Sequence, residues 1–379
     1  MIRQKLLKRL RARIYTILFV CLLVAAAVIG YVMYEKTKVY SGLEVSESVA
    51  LTKSSQAKLA GFAGTVMTYS KDGAGAVDSK GNMLWNITYD MQNPMMARNG
   101  NTVAFADYGG SRIYVQTASG DSFEVSTDMP IRKIATSDNN VVAAVLEDTD
   151  VTWIYLYGSN GQIIAQFRTT MEKSGYPVDL CISPSGEVVG VSYYYLDIGD
   201  IKSSVAFYNF GEVGQNSIDN YVSGYNYKDS LVPLISFLTD DYAFAISGDR
   251  LSIYEGAHKP VSLTDNLISD DVLSVFYDDE NIGIVLDNSS NGDKYRLEVY
   301  SKTGELILKK TFAFDYSDVI FSGDYVVIYG NRDIYVCDTS GTTKLETEYD
   351  SQVRLMVPTA SPTKYILVTD SSIDTVTMK

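Results

Sequence analysis

The chain has 379 residues, 46% hydrophobic and 21% charged, a balance that excludes a disordered polymer and allows a sizeable core. Its net charge of −14 is unevenly spread: residues 1–40 carry eight Lys or Arg against Glu35 alone, so residues 41–379 carry −21. So acidic a body repels phosphate backbones and argues against nucleic acid as a partner. It would draw cationic groups, although solubility alone accounts for it.

Residues 1–13 read as a basic cytoplasmic tail, with Arg3, Lys5, Lys8, Arg9, Arg11 and Arg13. Ile14 to Tyr34 then run uncharged and mostly aliphatic. As a helix this stretch is about 31 Å long, against a hydrocarbon core of roughly 30 Å. Tyr15, Tyr31 and Tyr34 stand where interfacial aromatics belong, and the basic flank places the N-terminus inside. A cleavable signal peptide would have a shorter apolar region. A lipoprotein anchor at Cys21 conflicts with the bulky Val20 before it. The expectation is a signal-anchor helix over 14–34 in the lipid bilayer, a linker over 35–42, and an extracytoplasmic domain over 43–379.

From about residue 43 the chain repeats one unit: an apolar run, an alternating strand, a second strand, a Gly turn and a last strand. Turn glycines recur at Gly81, Gly120, Gly161, Gly211, Gly256, Gly304 and Gly341, spaced by 37 to 50 residues. Such turns demand a positive φ, and four-stranded propeller blades repeat every ~40–50 residues. The strand before the turn alternates and ends in Tyr in several units, as in Thr152–Tyr157 and Leu251–Tyr254. That Tyr reads as blade-to-blade packing. The fold class is therefore all-β, a β-propeller after one N-terminal transmembrane helix. Eight blades are expected, with seven the alternative. In the eight-bladed reading, Glu44-Val45-Ser46 supplies the missing outer strand to the C-terminal blade. Cys181 and Cys337 fall in separate blades and read as buried free thiols.

The segment Ala76-Val77-Asp78-Ser79-Lys80-Gly81-Asn82-Met83-Leu84-Trp85 resembles the repeat of quinoprotein-like and WD40-like propellers, which implies a packing role for Trp85. A second likeness rests on Tyr69-Ser70-Lys71-Asp72-Gly73, Gly175-Tyr176-Pro177-Val178-Asp179, Ile182-Ser183-Pro184-Ser185-Gly186 and Phe207-Tyr208-Asn209-Phe210-Gly211. Over nearly its whole length the layout resembles an uncharacterised family of single-pass, membrane-anchored propeller proteins of Gram-positive bacteria. That resemblance implies topology and location and no activity.

Catalytic groups are scarce. Only Trp85 and Trp153 could stack on a quinone, and both sit in strands. His258 lies in a turn with no G-x-S-x-G elbow elsewhere. Carboxylates cluster at Asp148/Asp150, Asp197/Asp200, Asp240-Asp241, Asp270-Asp271 and Asp278-Asp279-Glu280, but Asp is a standard turn former and no calcium loop is complete. No cofactor, metal site or enzymatic activity is expected.

Recognition is better placed on the connections into each innermost strand, which share one face: 91–95, 128–131, 175–178 and 229–233, each stiffened by Pro. Met91, Pro94, Met129, Pro130, Tyr176 and Pro177 are the candidate contacts. Tyr195 and Tyr225 join them from the Tyr-rich insertion over 193–227. The reading these support is a protein-interaction scaffold, its protein partner at the membrane or cell surface. A module for cell-wall glycan or peptide is the alternative, and a hydrolase ranks third.

Overall fold

The computed structural model describes residues 2–51, 57–149, 151–169, 175–197, 199–227 and 230–379, with the side chains of the N-terminal helix described at 14–28, 30, 34 and 37. The basic side chains of residues 1–13, Tyr31, Asp150, Asp229 and the side chain of Asp197 lie outside the described residues. The helix spans Ile2–Thr37, and its side chains from Ile14 to Val28 are all exposed. Among the described residues no helix is long and apolar enough to cross a membrane.

Beyond the helix, eight four-stranded antiparallel sheets form eight blades. The innermost strands are, in chain order, Lys58–Phe62, Pro94–Asn99, Ile131–Thr136, Tyr176–Ile182, Leu234–Phe237, Val272–Tyr277, Tyr316–Ser322 and Val353–Pro358. The first segment of the domain completes the eighth blade. Leu43–Ala50 pairs antiparallel with Ser372–Met378, from Leu43 opposite Met378 to Ala50 opposite Ser372. It is the outer strand of blade 8, as the echo in Glu44-Val45-Ser46 predicts.

Burial explains the strand patterns. The second strands are covered on both sides by neighbouring blades, so Thr102–Asp107 and Val142–Glu147 are buried almost throughout. Outer strands keep a wet side, and Leu306–Phe312 alternates accordingly. The core is distributed: eight hydrophobic clusters sit one at each blade-to-blade interface. The recurring Tyr residues belong there. Tyr157, Tyr208, Tyr254 and Tyr300 end their strands buried, each packed against the preceding blade. Trp85 is likewise buried, edge-on to Phe62 at 6.3 Å. Cys181 and Cys337 are buried free thiols in blades 4 and 7, and burial pushes the Cys337 thiol up to about 11.

The turn expectation needs one correction. Gly81, Gly120, Gly161, Gly256, Gly304 and Gly341 adopt positive φ, whereas Gly211 does not. Blade 4 has no tight turn there. Its connection winds through two short 3-10 turns, Gly214–Asn216 and Ile218–Asn220. The Asn209 side chain organises it, with its Oδ1 accepting from the N–H groups of Gly211 at 2.8 Å and Gly214 at 3.3 Å. The positive φ falls instead on Asp219 and Asn220.

Ring closure is pinned where the chain enters the domain. Tyr40 is buried between blades 7 and 8, its N–H bonded to the Lys344 carbonyl at 2.7 Å. Ser41 N–H donates to the Lys379 carbonyl at 2.7 Å, and Lys379 N–H to the Gly42 carbonyl at 3.0 Å. Since the pairing strand exposes most of its own side chains, Tyr40 is its chief apolar anchor. Tyr40→Ala should lower the unfolding free energy by about 3–5 kcal/mol, the usual cost of truncating a buried aromatic. Val45→Ala, on the exposed side of the same strand, should cost under about 0.5 kcal/mol. Urea denaturation followed by tryptophan fluorescence separates the two; equal losses would contradict this account.

Candidate functional site

Strand direction divides the ring into two faces. The connections between blades and the second-to-third-strand turns emerge on one, here called the loop face. The Gly turns emerge on the other, the turn face. Because Leu43 pairs with Met378, the chain arrives from its helix on the turn face, and the loop face looks away from the helix.

The loop face is shaped by a recurrent device. In blades 3, 4, 6, 7 and 8 the innermost strand slips by one residue near its start, leaving Arg132, Val178, Leu273, Ser317 and Arg354 as the extra residues. Such bulges re-aim a side chain at the rim of a sheet. Arg354 is held by Asp370 at 3.1 Å. Arg132 ion-pairs with Glu147 at the end of the neighbouring strand, and its guanidinium lies 4.9 Å from the centre of the Tyr108 ring. Tyr176 stands beside Tyr194, ring centres 5.5 Å apart. Burial raises the Tyr176 hydroxyl above its ordinary pKa, reinforced by Glu147 and Tyr108. Tyr108, Arg132, Glu147, Tyr176 and Tyr194 thus form one aromatic and cationic cluster across blades 2 to 4. Tyr and Arg are the residue types that most often anchor protein interfaces.

The candidates from sequence divide. Pro130 is exposed and Pro94, Met129, Tyr176 and Tyr195 are half-buried at or beside the loop face. Met91 and Pro177 are buried and offer no contact surface; Met91 fills the interface of blades 1 and 2. Tyr225 lies on an outer strand, where its hydroxyl donates to the Pro260 carbonyl at 3.1 Å and accepts from Ser262 N–H at 3.0 Å. It stitches blade 4 to blade 5. Sequence reasoning missed Tyr108, Arg132 and Glu147, Arg132 because a bulge leaves no mark in a strand's residue pattern. An Arg one residue into an innermost strand, at 132 and again at 354, was the signal available.

From the carboxylate clusters Asp240, Asp270 and Asp278 do structural work, as do the turn residues Asp78 and Asp338. Asp78 and Asp338 each cap a Gly turn, accepting from the N–H groups of Lys80 and Asn82, and of Ser340 and Thr342. Asp278 does the same for Glu280 and Asn281. Asp240 accepts Ser185 N–H across blades, and Asp270 pairs with Arg296 at 2.6 Å. His258 is on an exposed turn, 3.9 Å from Glu187. Among the described residues no group of three or more His, Cys, Asp or Glu is placed to hold a metal ion. The central channel, a cavity of about 850 Å³, is lined by the innermost strands of all eight blades. Its buried Asp179 binds Lys133 at 2.5 Å and accepts Ile235 N–H at 2.9 Å, which ties blades 3, 4 and 5 together.

A family profile matches residues 36–378, which is the whole propeller with the last residues of the helix. The chain belongs to the family of unknown function DUF5711. No curated protein matches its sequence. Solved propellers share the fold at low identity. AztD from Citrobacter koseri in its apo form is 10% identical, covering 78% of this chain and 87% of its own, with a TM-score of 0.53. Chaetomium thermophilum Sqt1, bound to the N-terminus of ribosomal protein L10, is 14% identical over 83% and 94%, with a TM-score of 0.54. BamB from Moraxella catarrhalis is 11% identical over 89% and 100%, with a TM-score of 0.49.

One loop-face carboxylate gives a pH signature. The Arg250 guanidinium, with help from Ser247 and Ser230 and against the opposing effect of burial, holds Asp249 at about 2. A carboxyl depressed on folding stabilises the fold above its unfolded pKa, near 4, and that contribution is lost as pH falls towards 2. Asp249→Asn should therefore flatten the fall in unfolding midpoint between about pH 4 and 2. Because Asp249 is partly exposed, added salt should shrink the difference. An unchanged acid limb would remove Asp249 from the account.

Proposed function

We propose that this protein is a single-pass, membrane-anchored scaffold whose propeller stands outside the cytoplasm and docks a protein partner on its loop face. The observation that carries the reading is the cluster of Tyr108, Arg132, Tyr176 and Tyr194 on the face opposite the helix. The uncharged stretch Ile14 to Tyr34, with its basic flank, supports the anchor and the orientation. Only five residues separate the helix end at Thr37 from the strand at Leu43, and Tyr40 among them is buried. So short a tether holds the turn face towards the bilayer and turns the cluster outward. Sqt1 was solved with a segment of another protein bound, so the same fold accommodates such a partner there. The role proposed here is binding rather than catalysis.

Two measurements test it. In a Cys21→Ser background, Tyr108→Cys should react with a membrane-impermeant maleimide in intact cells; labelling only after lysis would sink the proposed topology. A photo-crosslinker at Tyr176 should capture one protein, and Arg132→Ala should cut its yield about tenfold, as expected when an interface anchor worth about 1.4 kcal/mol or more is lost. Retention on wall fragments with no protein adduct would favour the glycan-binding alternative.

A further inference from the structure

We propose that the long hairpin of blade 4 and the leucines beside it form a docking surface for a cationic, amphipathic segment of a partner protein. The inference rests on the loop-face reading above and names the chemistry of what binds there.

Blade 4 departs from its seven counterparts. Its second and third strands, Val188–Asp197 and Asp200–Asn209, have ten residues each, while the equivalent strands elsewhere have five to seven. The inner neighbour of this hairpin ends its pairing at Tyr194 and the outer neighbour at Ser203. Three further pairs continue alone: Tyr195 with Lys202, Leu196 with Ile201, and Asp197 with Asp200. The hairpin therefore stands about 10 Å above the blade, at about 3.3 Å per residue. A two-stranded ribbon in water is marginal by itself. This one carries Leu196 and Ile201 directly opposite each other, hence on one side, and both are exposed.

The ribbon is not isolated. Val232 N–H donates to Ser203 Oγ at 3.2 Å, and Gly248 N–H donates to Ser230 Oγ at 2.8 Å. Ile268 N–H in turn donates to the Asp249 carbonyl at 2.8 Å. These bonds join the hairpin, residues 230–232, the second turn of blade 5 and the blade 5–6 connection into one quadrant. There Leu231, Leu267 and the bulged Leu273 join Leu196 and Ile201, the five being 46% to 80% exposed. Among the described residues, the only other large apolar or aromatic side chain so exposed on the loop face is Tyr108. Several large apolar side chains left exposed on one face of a rigid fold mark an interaction site.

Charge selects the occupant. Asp200, Asp249, Asp265, Asp270, Asp271 and Glu298 lie on the same segments or on strands joined to them, against Lys202, Arg250, Arg296 and Lys309. Arg250 is engaged by Asp249 at 2.6 Å and Asp265 at 3.6 Å, Arg296 by Asp270 at 2.6 Å and Glu298 at 3.0 Å, and Lys309 by Glu298 at 3.0 Å. With −21 on residues 41–379, an anionic lipid surface is repelled, and a segment with aliphatic residues on one side and Lys or Arg around it is attracted.

The test uses full-length protein in zwitterionic nanodiscs. The probes are a fluorescein-labelled Leu/Lys amphipathic helix and a Leu/Glu helix with the same apolar side. The Leu/Lys helix should bind, weaken as salt is raised, and lose about tenfold in affinity in L196S/I201S, corresponding to about 1.4 kcal/mol. Leu306→Ser, on the outer wall of blade 6, should leave binding unchanged. The thermal midpoint of L196S/I201S should match the parent protein, since both side chains are exposed. Equal binding of the two peptides, or no loss in L196S/I201S, overturns the proposal. So does association with phosphatidylglycerol vesicles that L196S/I201S abolishes, which would assign the leucines to lipid. If Arg132→Ala removes the cellular crosslink while L196S/I201S keeps it, the loop-face reading stands and this inference falls. If neither variant affects the crosslink, both fall.

Discussion

A ring of sheets has no end to cap, so everything in this fold depends on one antiparallel pair, Leu43–Ala50 on Ser372–Met378. Each blade buries its apolar faces only against its two neighbours, and the eight interfacial clusters have no centre to fall back on. An unclosed ring would leave blades 8 and 1 with one wet face each and the last strand with a bare edge. Joining the two ends of the chain in a single blade removes both costs. It also fixes which face the helix meets, because the closing strand can run only one way beside Ser372–Met378.

Most of the Tyr hydroxyls inside the interfaces are satisfied locally, the buried Tyr89 hydroxyl between blades 1 and 2 being an exception. Tyr193 and Tyr208 bond through their hydroxyls at 3.0 Å, and the Tyr300 hydroxyl donates to Glu298 at 2.8 Å. Burial raises the pKa of all three hydroxyls, so they stay neutral and keep their donors at any physiological pH. The same residue type then serves the surface. Tyr194 and Tyr195 stand at the loop face on the strand that carries Tyr193, and Tyr108 stands there on a turn of blade 2. A stiff scaffold beneath adaptable side chains is what an interaction face requires.

The strand pattern made much of this legible. Four-strand units, glycine turns and recurrent buried Tyr all follow from residue spacing, because a strand's neighbours impose a period of two and a tight turn imposes a positive φ. Gly211 misled because a glycine in the right place does not reveal whether the turn is tight; Asn209 and the 3-10 turns show that it is not. Of the loop residues, Pro130, Met129 and Tyr176 reached the predicted face, while Met91 turned inward. A connection's side chains point wherever the next interface has room, and that room belongs to the neighbouring blade.

By itself, then, the sequence determined the all-β repeat, the closing echo at Glu44-Val45-Ser46, the uncharged stretch over 14–34 and the acidity of the body, since each is a property of a few contiguous residues. Only the tertiary structure decided the cluster of Tyr108, Arg132, Glu147, Tyr176 and Tyr194 and the exposed leucines of blades 4 to 6. Those side chains come from segments tens of residues apart, brought together by one-residue bulges and by the angular order of blades. Neither the register slip nor the angle between blades is encoded in any local pattern.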